Sequence, residues 1–178
     1  MLRDLGFLGA PQIGVLIVLL QRGLEELYST ANMRRLLAAG ATEAGREYYP
    51  VIVVAHLAWL AGVFFLLPAD APVLWLPLCL YLLLQVGRYW VIAALGRYWT
   101  HRIITLEGAA LVASGPYRIM AHPNYAIMAA EVALLPMIFG GWLLGLVMVV
   151  LYVPVVLYKI VLEDRALAPR RASGPSKA

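Results

Sequence analysis

The 178-residue chain has one cysteine, Cys79, and only 13% of its residues are charged. A lone thiol closes no internal disulfide and builds no cysteine-based metal site. The three histidines, His56, His101 and His122, lack His-x-x-x-His spacing, so no metal site is expected. No Gly-x-Gly-x-x-Gly occurs, which excludes the soluble dinucleotide-type phosphate loop. The net charge of +4 is modest, and Lys and Arg flank apolar runs instead of forming one basic face. That distribution argues against a nucleic-acid partner. A small-x-small cleavage site is also missing after the first apolar run, and Gln21, Arg22, Glu25 and Glu26 follow it directly. The run is therefore expected to be a retained span and not a removed leader.

Apolar residues make up 63% of the chain, against about 45–50% in an ordinary soluble domain. The excess is concentrated in long runs, the signature of membrane helices. Five spans are expected, at about 5–28, 50–67, 72–95, 123–139 and 142–162. The fold class is an all-α membrane protein ending in a helical hairpin, whose turn is Gly140-Gly141. Gly141 and Gly145 are four apart, a spacing that permits close helix contact. Residues 1–167 read as one domain and 168–178 as a disordered tail, with Ser173-Gly174-Pro175-Ser176 as its flexible part.

Basic residues gather in three connecting segments: Arg34, Arg35 and Arg46; Arg97, Arg102 and Arg118; and Lys159 with Arg165, Arg170, Arg171 and Lys177. The segment Pro68-Ala69-Asp70-Ala71-Pro72 and the Gly140 turn have none. Basic loops stay cytoplasmic, so the C-terminus is expected inside, with Arg3 the one dissenter. The hairpin then returns Ala121-His122-Pro123-Asn124-Tyr125 to the neighbourhood of Leu162-Glu163-Asp164-Arg165 on the cytoplasmic side. The intervening 96–122 segment, with Ile103-Ile104 and Leu111-Val112 around Glu107-Gly108, suits a short amphipathic hairpin or an interfacial loop.

Three groups of residues could carry chemistry. Pro123 suits a first helical turn, so His122, Asn124 and Tyr125 stand at a helix start, where free N–H groups favour anions. The same residue types also suit interfacial anchoring. Glu163 and Asp164 oppose the dipole at a helix end, which suggests a bound cation or amine; a solvated helix end is the plainer reading. Glu131 lies two turns inside the fourth span, where a carboxylate costs on the order of 2.5–3.5 kcal/mol. Burial fits it for proton transfer, and the alternative is a structural bond to a neighbouring helix, with Arg88 or His56 as partner.

Gly115-Pro116-Tyr117-Arg118, His122-Pro123-Asn124-Tyr125, an apolar hairpin and Lys159-Ile160-Val161-Leu162-Glu163-Asp164-Arg165 together resemble the isoprenylcysteine carboxyl methyltransferase family. The upstream segments 32–60 and 95–118 resemble a bacterial branch associated with O-methylation of alkylpyrones and phenolic lipids. The resemblance implies an integral membrane methyltransferase that uses S-adenosylmethionine at the cytosolic face. It carries cofactor-binding roles onto Gly115, Tyr117, His122, Pro123, Tyr125, Glu163 and Asp164, and more loosely onto Pro116 and Arg118. Glu131 and Arg118 are the expected catalytic residues, Glu131 as the base for a hydroxyl acceptor. Its expected partners are a lipophilic or prenylated substrate arriving from a bilayer, most simply a bacterial inner membrane, and the membrane lipids. The sequence departs from the family at Ala121, where Arg is usual, and at Lys159 and Asp164, where Arg and Glu are usual. Carboxyl methylation of an isoprenylcysteine is the alternative activity. A non-enzymatic transporter subunit or scaffold is the competing class.

Overall fold

The computed structural model describes residues 8–172. Five helices build it: α1 Ala10–Ala38, α2 Tyr49–Leu66, α3 Trp75–Leu95, α4 Pro123–Ile138 and α5 Trp142–Ala172. Two three-residue strands, β1 Thr42–Ala44 and β2 Ile103–Thr105, lie in the connecting segments. The expected all-α membrane class therefore holds, with this small addition. Arg3 and the 173–176 stretch lie outside the described residues.

Among the described residues, three segments are long and apolar enough to cross a membrane: Arg46–Leu66, Trp75–Tyr98 and Trp142–Arg171. Helix α4 has 16 residues, about 24 Å of rise against a hydrocarbon core near 30 Å. Helix α1 is equally distinct. Its 29 residues run ten past the expected end at Tyr28, because Arg22, Glu25 and Glu26 do not close the helix but meet partners on other elements. At its start, Gln12 donates to the carbonyls of Phe64 and Leu67 at 2.9 and 3.0 Å. Those are carbonyls at the end of α2 that the helix itself leaves unpaired.

Helices α4 and α5 form the expected hairpin. Gly140 takes the left-handed φ of +75° at the turn. A Cβ on Gly145 would stand 2.8 Å from the Ala133 carbonyl, so only glycine lets the two helices approach this closely. Inside a bilayer, packing and interhelical hydrogen bonds must replace the hydrophobic drive. The core shows both: Trp59, Val63, Val91 and Val132 are fully buried, and Trp59 Nε1 donates to the Val132 carbonyl at 3.1 Å. Large apolar side chains such as Phe65, Leu83 and Leu143 point outward, as lipid-facing groups should.

Two expectations change. Strand β2 does not fold back on Leu111-Val112. It pairs antiparallel with β1, Glu43 opposite Ile104, and so pins the 96–122 segment to the α1–α2 connection. The tail does not begin at 168: α5 continues through Ala172, because Arg170 donates to the carbonyls of Ala109 and Ala110 and thereby holds the last turn against that segment.

Candidate functional site

Where α4 begins and α5 nears its end, the side chains pair as the hairpin requires. His122 Nε2 lies 3.1 Å from Asp164 Oδ1, and the Tyr125 hydroxyl donates to Glu163 Oε2. Arg171 holds Asp164 from the other side at 2.6 Å. All of these groups but Asp164 border a cavity of about 320 Å³, with Tyr117, His122, Tyr125 and Glu163 in its wall and apolar cover from Leu111, Val112 and Leu167. Ligand sites commonly span about 300–1,000 Å³. Burial and the nearby Glu163 carboxylate push the Tyr117 phenol upward, so it stays protonated and able to donate.

A second cavity of about 250 Å³ lies between α1 and α2 and reaches α4 and α5. Its rim includes Leu19, Val53 and Leu57, exposed by 45%, 37% and 53%, so it opens on the lipid-facing surface. Its inner end is polar, with Glu26, His101, Asn124 and Lys159. The Asn124 Oδ1 atom is buried without a partner there.

The two cavities are divided by the same three elements. On α4, His122 and Tyr125 border the first, Asn124 and Met128 the second. On α5, Glu163 borders the first and Lys159 the second. In the segment entering β2, Thr100 and Arg102 border the first and His101 the second. Lys159 stands in the partition: its Nζ lies 5.3 Å from the Tyr125 ring centre and donates to the His101 carbonyl at 2.7 Å.

Of the residues expected from the sequence, Tyr117, His122, Tyr125 and Glu163 converge on one cavity, and Asp164 positions His122 from outside it. Pro123 is buried in the first turn of α4, and Gly115 packs against Trp90 and Ala94; both shape the backbone. Arg118 is exposed and borders neither cavity. Ala121 does line the first cavity, and the cations that share its lining are Arg102, Arg170 and Arg171, not Arg118.

Glu131 is placed differently from expectation. It is 1% exposed and borders neither cavity. Its Oε1 accepts from Gln85 at 2.8 Å, and its Oε2 from Arg22 at 2.7 Å and Arg88 at 3.1 Å. Both guanidiniums also bind Glu25, Arg22 at 2.8 Å and Arg88 at 2.6 Å. Two carboxylates and two guanidiniums thus form a neutral buried quartet tying α1, α3 and α4. Both oxygens of Glu131 are engaged and it borders neither cavity, so it faces no acceptor site. Arg88 was an anticipated partner. His56 was the other, but it meets the Tyr152 hydroxyl at 2.7 Å instead.

Sequence reasoning missed Arg22, Glu25, Glu26 and His101 as members of polar clusters. For the three α1 residues the only signal was position, since polar residues recur through 21–26 along an apolar helix; His101 carried none.

Residues 75–169 match the isoprenylcysteine carboxyl methyltransferase (ICMT) family. The chain is also 29% identical over 157 residues to the uncharacterized protein YpbQ of Bacillus subtilis (strain 168), covering 86% of this chain and 94% of that one. No solved structure matches.

Proposed function

The chain belongs to the isoprenylcysteine carboxyl methyltransferase family and is an integral membrane methyltransferase, and we propose that it O-methylates the hydroxyl of a lipophilic acceptor such as an alkylpyrone or phenolic lipid. S-adenosylmethionine is the proposed donor, bound in the larger cavity. The observation that carries this reading is the pair of cavities on opposite faces of one partition, one the more polar and the other opening toward lipid.

The larger cavity suits the donor chemically. The Glu163 carboxylate can accept from an amine or from ribose hydroxyls, and Arg171 can face a carboxylate. Leu111, Val112 and Leu167 offer apolar cover for a flat base. His122, Tyr125 and Asp164 are bonded into fixed orientations before any ligand arrives, which lowers the cost of ordering the site. When bound, the donor supplies an electrophilic methyl on a sulfonium.

The smaller cavity would hold the acceptor, its tail leaving past Leu19, Val53 and Leu57 into the bilayer and its oxygen directed to the inner polar end. Lys159 and the Tyr125 ring stand between the two cavities, where the methyl would cross and where proximity and dryness raise the rate. The proposed setting is a bacterial inner membrane with this end of the bundle on the cytoplasmic side, a reading that the basic connecting segments support. Residues 1–167 act as one domain, and the bilayer lipids are its surroundings and the source of the acceptor.

The test is transfer from labelled S-adenosylmethionine by purified protein, with an alkylresorcinol or alkylpyrone and, in parallel, a farnesylcysteine analogue. Transfer to the hydroxyl lipid is expected. Transfer to farnesylcysteine alone overturns the hydroxyl reading in favour of carboxyl methylation. Absence of donor binding overturns both.

A further inference from the structure

A hydroxyl acceptor must lose a proton as it is methylated, and with Glu131 enclosed the smaller cavity needs another base. Resting on the hydroxyl-acceptor reading, we infer that His101, oriented by Glu26, is the general base of this site. The imidazole Nδ1 lies 2.7 Å from Glu26 Oε2. A carboxylate can only accept, so Nδ1 carries the hydrogen and Nε2 keeps its lone pair. No side chain among the described residues bonds that Nε2, and the ring borders the smaller cavity. Its backbone is fixed on both sides, since its N–H donates to Ser29 Oγ at 2.8 Å and its carbonyl accepts from Lys159.

The orienting carboxylate is itself immobilised. Glu26 also accepts from the Tyr49 hydroxyl at 2.8 Å and from the Thr30 hydroxyl at 3.1 Å. The arrangement is a carboxylate–imidazole pair, in which the acid fixes the tautomer and stabilises the imidazolium that forms. The other histidine of this cavity is less suited, because the partner of His56 is a phenol, which offers an imidazolium no negative charge. Position favours His101 too: its neighbours Thr100 and Arg102 border the donor cavity, so the ring stands at the partition where oxygen and methyl must meet.

Burial lowers the affinity of His101 for a proton, and Glu26 draws it partly back. The charged and titratable groups around it are Glu26 and Arg22 from α1, Glu43 from β1 paired with the adjacent Arg102, Tyr48 before α2, Tyr49 and His56 from α2, Arg88 from α3 and Lys159 from α5. The ring is therefore neutral, and basic, at neutral pH. In the step itself the acceptor O–H bond breaks to Nε2. The oxygen forms its new bond to the methyl carbon, and the carbon–sulfur pair returns to sulfur, which leaves as a neutral thioether. The proton passes from His101 to water after product departs.

His101→Gln and Glu26→Gln should be compared with the unaltered enzyme on an alkylresorcinol across pH, with donor binding measured by titration. For His101→Gln at neutral pH, turnover is expected to fall about 10²–10⁴-fold, with donor affinity within about twofold. The deficit should shrink as pH nears the phenol's own pKa, about 10, where the acceptor ionises unaided. Glu26→Gln should move the acid limb of the rate profile to lower pH. Retention of turnover within about threefold in His101→Gln, or a deficit equal at every pH and matched by lost donor affinity, overturns the inference. An unaltered enzyme that methylates only farnesylcysteine instead overturns the hydroxyl reading and removes the need for a base.

Discussion

Replacing Glu131 by Gln separates a structural charge from a catalytic one. The substitution keeps size and removes one negative charge from the quartet of Arg22, Glu25, Arg88 and Glu131, leaving a net positive charge in a site where Glu131 is 1% exposed. At 2.7 and 3.1 Å, and with an effective dielectric near 20, each lost ion pair is worth about 5–6 kcal/mol gross. Repulsion from Glu25 and the hydration of the freed guanidiniums offset much of this. Breaking one member out of such a buried set costs about 3–5 kcal/mol net. For a chain of this size that corresponds to a fall in Tm on the order of 10 °C. The assay is thermal unfolding in detergent of Glu131→Gln, Arg22→Gln and the double variant. The double variant restores neutrality, so it should recover at least ~1–2 kcal/mol of the summed loss. A Glu131→Gln protein with unchanged Tm, intact donor binding and no turnover would refute this reasoning and return Glu131 to the chemistry.

Further outcomes follow from the same geometry. Glu163→Gln should weaken S-adenosylmethionine binding about tenfold or more by titration while leaving Tm within a few degrees, because Glu163 borders the larger cavity. Arg170→Ala should release the segment at Ala109 and Ala110 and raise its hydrogen exchange, with KM for the donor rising more than kcat falls. Gly145→Leu should cost about 1–3 kcal/mol in unfolding experiments, since its Cβ would press on the Ala133 carbonyl. Acid should destabilise the fold through His101. Burial holds its folded pKa below the unfolded value of about 6.5, so the unfolded chain takes the proton more readily and stability falls as pH drops below that value. His101→Gln should flatten that part of the Tm–pH curve.

Much of the helical frame could be read from the chain. Apolar runs bounded by Pro50, Pro123 and the Gly140-Gly141 turn bring three helix starts within a few residues of observation. The hairpin logic that joins His122 to Asp164 needed only two runs and a tight turn. Pairings between distant elements were not legible. The charges at 22–26 resemble a helix end until their partners Arg88 and Glu131 are seen, and His101 stands 75 positions from the carboxylate that orients it. Strands of three residues carry almost no local pattern, so the β1–β2 pair could not be separated from a local hairpin. Residues 168–172 read as part of a tail, although Arg170 anchors that stretch as helix.

The shared wall of α4, α5 and the β2 approach also sets the units in which this enzyme meets its substrates. On the proposed reading, the donor chamber would sample a volume of water and the acceptor chamber an area of bilayer. Donor saturation should therefore follow molar concentration, while acceptor saturation follows mole fraction in the membrane. Diluting the acceptor with inert lipid at constant bulk amount should slow turnover, and diluting the suspension with buffer should not alter acceptor occupancy. On the proposed hydroxyl acceptor, the methylated product would lack the hydroxyl proton, partition more strongly into lipid than the acceptor, and leave sideways into the bilayer.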